Sequence, residues 1–395
     1  MTARAFLTFL EAETKNLRQA GLVRPELELR VPPGPIVRIG EQDVVSFLSS
    51  DYLGLSGHAA LKQAAIAATE EWGVGFASPR AQLGTVTLHA ELEASLKKLL
   101  GTEDALVFAS GHHANAGLFE ALLSDRDYIF YDEMIRPSLA DGVRLSRARG
   151  HAYRNNDMEH LEDRLKRSRA ARFRIIATDG VFPVTGRIAN LTDIYALASK
   201  YQATVVVDDT QGLGVLGDAG QGSHAFAAVS AIDLVTGSFG GALGGGAGGF
   251  VAGKSTILTY LRQKSRSHLA STALAPSAMG AAKKAIEIVG TEPQLRKRLA
   301  ENLRVFRDAV TKDAGVIPEV AHPAVSVLIR NAVLAQRLTD ILFRERLFVM
   351  GYCHPVVPEG EARISLRITV RHDPSDLERA AKVLGDGMKM LKVQL

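Results

Sequence analysis

Cysteine is almost absent from this sequence: Cys353 is the only one in 395 residues. A single thiol excludes an internal disulfide framework and a cysteine-rich zinc site. Long apolar runs are missing too, since no stretch reaches the about 18 residues that a membrane-spanning helix needs. The opening segment Met1 to Leu22 carries Glu11, Glu13, Lys15 and Arg18 where a signal peptide would need an apolar centre. A cytoplasmic protein with no membrane partner is therefore expected. A strong charge of one sign is also lacking. The formal net charge is +4, with basic residues spread over Arg144, Arg147, Arg149, Arg164, Lys166, Arg167 and the Arg262–Arg266 segment. Such dispersed charge reads as solvated helix faces, with attraction of a phosphorylated small molecule as the alternative. No nucleic-acid motif occurs. Asp208, Asp209 and His224 lack metal-ligand spacing, so no metal is expected.

What is present is a large apolar fraction, 46% of residues, enough for a sizeable core in roughly two to three domains. Phe6, Phe9, Leu10 and Leu17 follow a near-helical period, predicting an N-terminal amphipathic helix that packs on another domain or subunit. Pro32, Pro33, Gly34 and Pro35 then break the chain, and short β-rich runs follow at Ile36–Ile39 and Val44–Leu48. Strands are expected near Ala105–Phe108, Tyr128–Tyr131, Ile175–Thr178, Thr204–Asp208, Leu234–Thr236 and Gly249–Ala252. Helical patterns separate them around Ala114–Leu123, Ser138–Leu145, Met158–Ser168 and Leu191–Lys200. Apolar strands alternating with helices indicate an α/β fold with a mostly parallel sheet covered on both faces. Beyond Pro276 helices dominate, with short strands at Ala324–Ile329, Leu347–Met350 and Ala362–Ile368, as in a smaller α+β domain. The expected division is residues 1–50 joining the small domain, 51–280 as the large domain and 281–395 as the small one.

Glycine is concentrated in one place. Thr236–Gly249 holds eight glycines after a probable strand at Ile232–Val235. Such a run suits tight turns or close approach of backbone to a ligand, and the apolar anchors Phe239, Leu243 and Phe250 argue against a free surface loop.

Ordered motifs along nearly the whole chain resemble the α-oxoamine synthase family of pyridoxal-phosphate enzymes, which have aminotransferase fold type I. They include Asp51-Tyr-Leu-Gly-Leu55, Ala77-Ser-Pro-Arg80 with His89, Ala114-Asn115, Asn155-Asn-Asp157, Ile176-Ala-Thr-Asp-Gly-Val-Phe182, Val207-Asp-Asp209, Gly222-Ser-His224, Ala275-Pro276 and Pro355-Val-Val-Pro358. The resemblance implies a large α/β domain with a smaller α+β domain, an acyl-CoA thioester substrate, and a homodimer with sites at the subunit interface.

Several positions depart from the family pattern together. The Schiff-base lysine falls at Gly241, the ring-stacking histidine at Arg136, and a ring-side histidine at Gln211. A family serine falls at Pro183, and the arginine that grips the amino acid's carboxylate falls at Ser365. Glycine has no atom for imine formation or proton transfer, and a hydroxyl is no substitute for a bidentate guanidinium. The expectation drawn from this is no covalent cofactor, with pyridoxal phosphate doubtful and an acyl-CoA or acyl-carrier thioester as co-substrate.

Other matches remain. Ser110-Gly111-His112 opens a helix after a strand, and Ser238, with Ser271 and Thr272 from the other subunit, matches further phosphate-side hydroxyls. Asp208 matches the ring-nitrogen partner, while a plain helix cap at Ser110 and a structural carboxylate at Asp208 stay open as alternatives. His112 and His113 are new titratable groups beside that site, candidates for a general base or for satisfied surface histidines. Arg136 and Gln211 are expected as polar stabilisers, with filling of vacated ring space as the plainer role for Arg136. Asp51, Arg80, Ser365 and His354 are expected on the substrate side. Cys353 reads as a packed thiol.

The leading functional expectation is an acyltransferase moving an acyl group from a thioester to a small amine or hydroxyl acceptor without pyridoxal phosphate. The alternatives are a noncatalytic subunit dimerising with a lysine-bearing relative, and a pyridoxal-phosphate-dependent enzyme acylating glycine at carbon.

Overall fold

The computed structural model describes residues 3–19, 26–29, 34–315 and 321–393. The chain break expected at Pro32 and Pro33 lies outside the described residues. Helix Ala3–Gln19 forms where the periodicity predicts it, and its Phe6, Phe9, Leu10 and Leu17 are exposed in the single chain. Strands β1 (Ile36–Ile39) and β2 (Gln42–Ser46) then make a hairpin that turns at Gly40, whose positive φ of 60° favours glycine.

Seven strands build the central sheet. They are β3 (Asp104–Phe108), β4 (Tyr128–Asp132), β5 (Arg149–Tyr153), β6 (Arg174–Asp179), β7 (Ala203–Asp208), β8 (Leu234–Ser238) and β9 (Gly249–Gly253). Their order is β3-β9-β8-β7-β6-β4-β5; β4 to β8 run parallel, and β9 runs antiparallel to both neighbours. Alternate residues supply the two faces. Ile175, Ala177 and Val206 pack with Ala114, Leu118 and Phe119, whereas Ile176, Val205 and Val207 pack with Leu191, Ile194 and Ala198. This is an α/β architecture with a mostly parallel sheet, as the alternating pattern predicts.

The C-terminal region carries β10 (Ala324–Arg330), β11 (Leu347–Phe348), β12 (Met350–Tyr352) and β13 (Ala362–Arg367). Strands β10, β13 and β12 form an antiparallel sheet, and β11 pairs in parallel with β2, so the N-terminal hairpin joins this region. One face of β10 and β13 supplies Val325, Val327, Ile329, Ile364, Leu366 and Ile368 to an apolar core with helices Pro293–Ala314, Ala332–Arg344 and Pro374–Met390. The residues between them, Ser326, Ser365 and Arg367, fall on the other face.

Three local expectations change. The strand expected at Ile232–Val235 runs instead from Leu234 to Ser238, so the glycine-rich stretch joins two antiparallel strands, with Ser238 opposite Gly249. Strand β5 had no apolar run to announce it, because Arg-Gly-His-Ala-Tyr is the sheet's edge and only Tyr153 is buried. Helices Ser255–Lys264 and Arg266–Ala270 were likewise not anticipated; the first buries only Leu258 and Leu261, too few for a clear period.

Candidate active site

The site lies at the carboxyl ends of β6, β7 and β8, where Asp179 is in register with Asp208 and Asp208 with Thr236. Open parallel sheets place ligand crevices at this edge, because the chain leaves the sheet there and exposes strand-end side chains. Asp208 is held from three directions. Asn115 donates to its Oδ2 at 2.8 Å, the Thr210 amide to its Oδ1 at 3.0 Å, and Arg136 Nε lies 3.2 Å from Oδ1. Arg136 also reaches Asp179, with Nε 2.5 Å from Oδ1 and its backbone amide 2.6 Å from Oδ2.

This is a buried cluster of three carboxylates around one guanidinium. Asp179, Asp208 and Asp209 are at most 1% exposed, and the Arg136 side chain is 12% exposed. Burial pushes Asp179 up to about 7, against the pull of Arg136, and it does the same to Asp209 although the Ser223 amide donates to Asp209 at 2.7 Å. Burial works against the charge of Arg136, but Asp179 and Asp208 outweigh it and raise its pKa. The second terminal nitrogen of Arg136, Asn115 Oδ1 and Asp209 Oδ1 are buried without a partner among the described residues.

The opposite end of the crevice is the start of helix Gly111–Leu122. Ser110 caps it, its Oγ accepting from the His113 amide at 3.1 Å and contacting His113 Nδ1 at 2.8 Å. A Cβ on Gly111 would stand 3.0 Å from Ser238 Cβ, so glycine lets helix start and strand end approach. Ser238 Oγ donates to the Gly248 carbonyl at 3.2 Å, and its amide donates to Thr210 Oγ1 at 3.0 Å. Gly241 sits against the same Thr210: an added Cβ would lie 2.3 Å from Thr210 Cγ2 and 2.8 Å from Thr210 O. Any side chain there would overlap Thr210 unless the backbone shifted.

The expected site residues divide accordingly. Ser110, Gly111, His113, Ser238, Gly241, Asp208 and Arg136 are brought around one crevice. Gln211 is near it but engaged, its Oε1 accepting from the Tyr52 hydroxyl at 2.8 Å. His112 is exposed, with Nε2 3.9 Å from Asp141. Four expectations need correction. Arg136, expected as a polar stabiliser, has its Nε engaged by Asp179 and Asp208, and its second terminal nitrogen is buried without a partner among the described residues. Arg80 forms a buried ion pair with Glu93, which also accepts from the Val107 amide at 2.9 Å, so that arginine is occupied inside the fold. Asp51 is bound locally by Ser56, whose Oγ lies 2.5 Å away. His354 is exposed and makes no hydrogen bond among the described residues. Ser271 and Thr272 line a small cavity with Arg80, His89 and His268 rather than joining Ser110 within one chain.

Asn115, Asp179, Thr210 and Arg367 had no assigned role in the sequence. Asn115 and Asp179 sit inside quoted motifs, and Arg367 lies two residues beyond Ser365, hence on the same face of a strand.

The family profile described as "Aminotransferase class I and II" matches residues 42–384. The chain belongs to this family. Among its relatives, 2-amino-3-ketobutyrate coenzyme A ligase of Escherichia coli is 39% identical, over 95% of this chain and 96% of that one. The 8-amino-7-oxononanoate synthase 1 of Bacillus velezensis is 36% identical, with 98% of each covered. The solved structure of a lysine-to-alanine variant of serine palmitoyltransferase from S. paucimobilis, with a bound PLP–myriocin aldimine, superposes with a TM-score of 0.91 at 25% identity, covering 100% of both chains.

These findings overturn the expectation that pyridoxal phosphate is doubtful, because this aminotransferase-family fold holds it in solved relatives. The residues present agree at two ends: the glycine-lined helix start at Ser110–Gly111 beside Ser238 suits a phosphate, and Asp208, fixed by Asn115 and Thr210, suits a ring nitrogen. Asp208 has three donors at hand, and a carboxylate has about four lone-pair sites. At the amine end Gly241 has no side chain to offer. Among the described residues no helix is long and apolar enough to cross a membrane, and no group of three or more His, Cys, Asp or Glu side chains is arranged so that it could hold a metal ion.

Proposed function

We propose that this chain is an acyltransferase of α-oxoamine synthase type, moving an acyl group from an acyl-CoA or acyl-carrier thioester to a small amine-bearing acceptor, with noncovalently held pyridoxal phosphate. The observation that carries the reading is the retained pair of anchoring ends, Ser110–Gly111–Ser238 and Asn115–Asp208–Thr210, in a chain 39% identical to a coenzyme A ligase. Bound there, pyridoxal phosphate supplies an electron sink for the acceptor's α-carbon. The chain's own groups supply the rest. Asp208 fixes the ring end, with the Arg136 guanidinium beside it. His113, oriented by Ser110, and His112 at the helix mouth are the groups able to take a proton from the acceptor, and glycine-loop amides stabilise negative charge on the thioester carbonyl oxygen. The working unit is a homodimer in which Ser271 and Thr272 reach the partner's helix start.

The test is thiol release from acyl-CoA in the presence of amino acids, with and without added pyridoxal phosphate, beside an absorbance spectrum. Release that needs both amino acid and pyridoxal phosphate is expected; no release under any combination would sink the reading.

The crowding at Gly241 favours a second reading, a noncatalytic subunit paired with a lysine-bearing relative, because a site closed to every side chain is closed to lysine. It expects an inactive purified chain that becomes active only with that relative.

A further inference from the structure

Next to Tyr52, which donates to Gln211 near the crevice, stands an arginine with a different character from Arg136. Arg367 ends β13 on the face turned away from the C-terminal apolar core, two residues after Ser365 and so beside it on that face. Its Nη1 donates to the Leu48 carbonyl at 3.1 Å, and its Nε is buried with no partner. Among the described residues no carboxylate lies within ion-pair distance of it, whereas Arg363 on the same face pairs with Glu361 at 2.6 Å. The groups around Arg367 are the hydroxyls of Tyr52 and Tyr352 and the ring of His322. Burial opposes its charge, and the two tyrosines outweigh that and raise its pKa. Tyr52 in turn donates to Gln211, three residues from Asp208, which ties this face to the crevice.

A second observation points the same way. Ser365 Oγ is buried without a partner, and so is Ser326 Oγ, its register partner across β10 and β13. A partly buried guanidinium whose Nε is buried without a partner or a counter-charge, and two orphaned hydroxyls on the same sheet face, are unfavourable unless something satisfies them. A planar anion does so economically: a carboxylate accepts from the fork of an arginine and has lone pairs left for a hydroxyl.

We propose that Arg367, with the Ser365 hydroxyl beside it, is the seat for the carboxylate of the small acceptor, displaced by one strand repeat from the position where Ser365 stands. The inference rests on the acyl-transfer reading for the acceptor's identity and on the geometry of β13 for the seat. Arg367 acts by positioning: it fixes one end of the acceptor so that its amine faces the Asp208 end of the crevice.

Calorimetric titration of the full chain tests it, with glycine, glycinamide and inorganic phosphate as probes. Glycine should bind at least about tenfold more tightly than glycinamide, since a charge-assisted hydrogen bond is at stake. Arg367→Gln should weaken glycine on the order of 10-fold to 100-fold and leave glycinamide unchanged. Adding Ser365→Arg to Arg367→Gln should recover glycine binding. Equal binding of glycine and glycinamide, unchanged glycine affinity in Arg367→Gln, or phosphate binding tighter than glycine would each overturn the seat. Should Arg367→Gln fail to fold, Arg367→Lys carries the test: it keeps the charge but loses the planar fork, and unchanged glycine affinity there overturns the proposal. The two readings fail separately. Arg367-dependent glycine binding with no thiol release keeps the seat and removes acyl transfer; thiol release whose KM for glycine ignores Arg367→Gln does the reverse.

Discussion

Two partly buried arginines, Arg136 and Arg367, both act on Tyr52 and live under opposite conditions. Arg136 is enclosed by Asp179 and Asp208, with Asp209 close behind, so negative charge exceeds positive charge around it. Arg367 has hydroxyls and a carbonyl for company and no carboxylate among the described residues. A low-dielectric interior tolerates a charge only with compensation. The first arginine is therefore part of a self-contained structural unit, and the second is complete only when something anionic arrives. Position in a pocket does not by itself make an arginine a ligand group; its partners do.

The comparison can be broken most forcefully at Arg136. Arg136→Leu strands Asp179 and Asp208, and should destabilise the chain by about 3–5 kcal/mol in urea unfolding. If Arg136→Leu instead unfolds like the parent, the cluster is not the structural unit described.

The same excess of carboxylate predicts a pH signature. Asp209 titrates at about 7 in the folded chain against the ordinary 3.8, so the folded state holds its proton over a range where the unfolded state has lost it. That contribution to stability is present in full below about 4, falls as pH rises from about 4 to about 7, and is flat above. Urea unfolding of the parent and of Asp209→Asn across this range should show the parent's relative stability declining with pH; a constant difference between the two would contradict the buried, raised carboxyl.

Gly241 sharpens the picture at the amine end. Gly241→Ala should cost about 1–3 kcal/mol through overpacking against Thr210, measured by the same unfolding midpoint. A neutral effect would mean that the loop opens easily and that a lysine there was sterically available.

The smallest expected effect is at the helix start. Ser110→Ala removes the hydroxyl that accepts from the His113 amide and should cost about 1 kcal/mol, seen as a small shift in melting temperature.

Much of this molecule was readable before any coordinates. The runs Ile175–Thr178 and Thr204–Asp208 have continuous apolar centres, Ile175–Ala177 and Val205–Val207, which only a strand covered on both faces requires, and they lie in β6 and β7. The motif order marked Ser110, Gly111, Ser238 and Asp208 as neighbours, and the strand ends bring them together. What misled was treating each lost contact as a lost cofactor. Gly241, Arg136 and Ser365 were read as subtractions, yet the anchoring ends remain and relatives of the fold hold pyridoxal phosphate. Arg80 and Asp51 were assigned to substrate because their motifs match, although Glu93 and Ser56 already satisfy them. A linear motif records which residues stay, not which of their hydrogen-bond sites are still free.

The sequence by itself determined the alternation of strand and helix, the glycine-dense connection between β8 and β9, and the absence of an amine at position 241. These are local properties, fixed by periodicity, by the conformational freedom of glycine and by the identity of one side chain. Only the tertiary structure decided that Arg136 is held by Asp179 and Asp208, that Thr210 closes the space beside Gly241, and that Arg367 has no carboxylate beside it among the described residues. Each of these depends on groups that are tens to hundreds of residues apart in the chain, and electrostatic compensation in a buried site is a matter of distance in space.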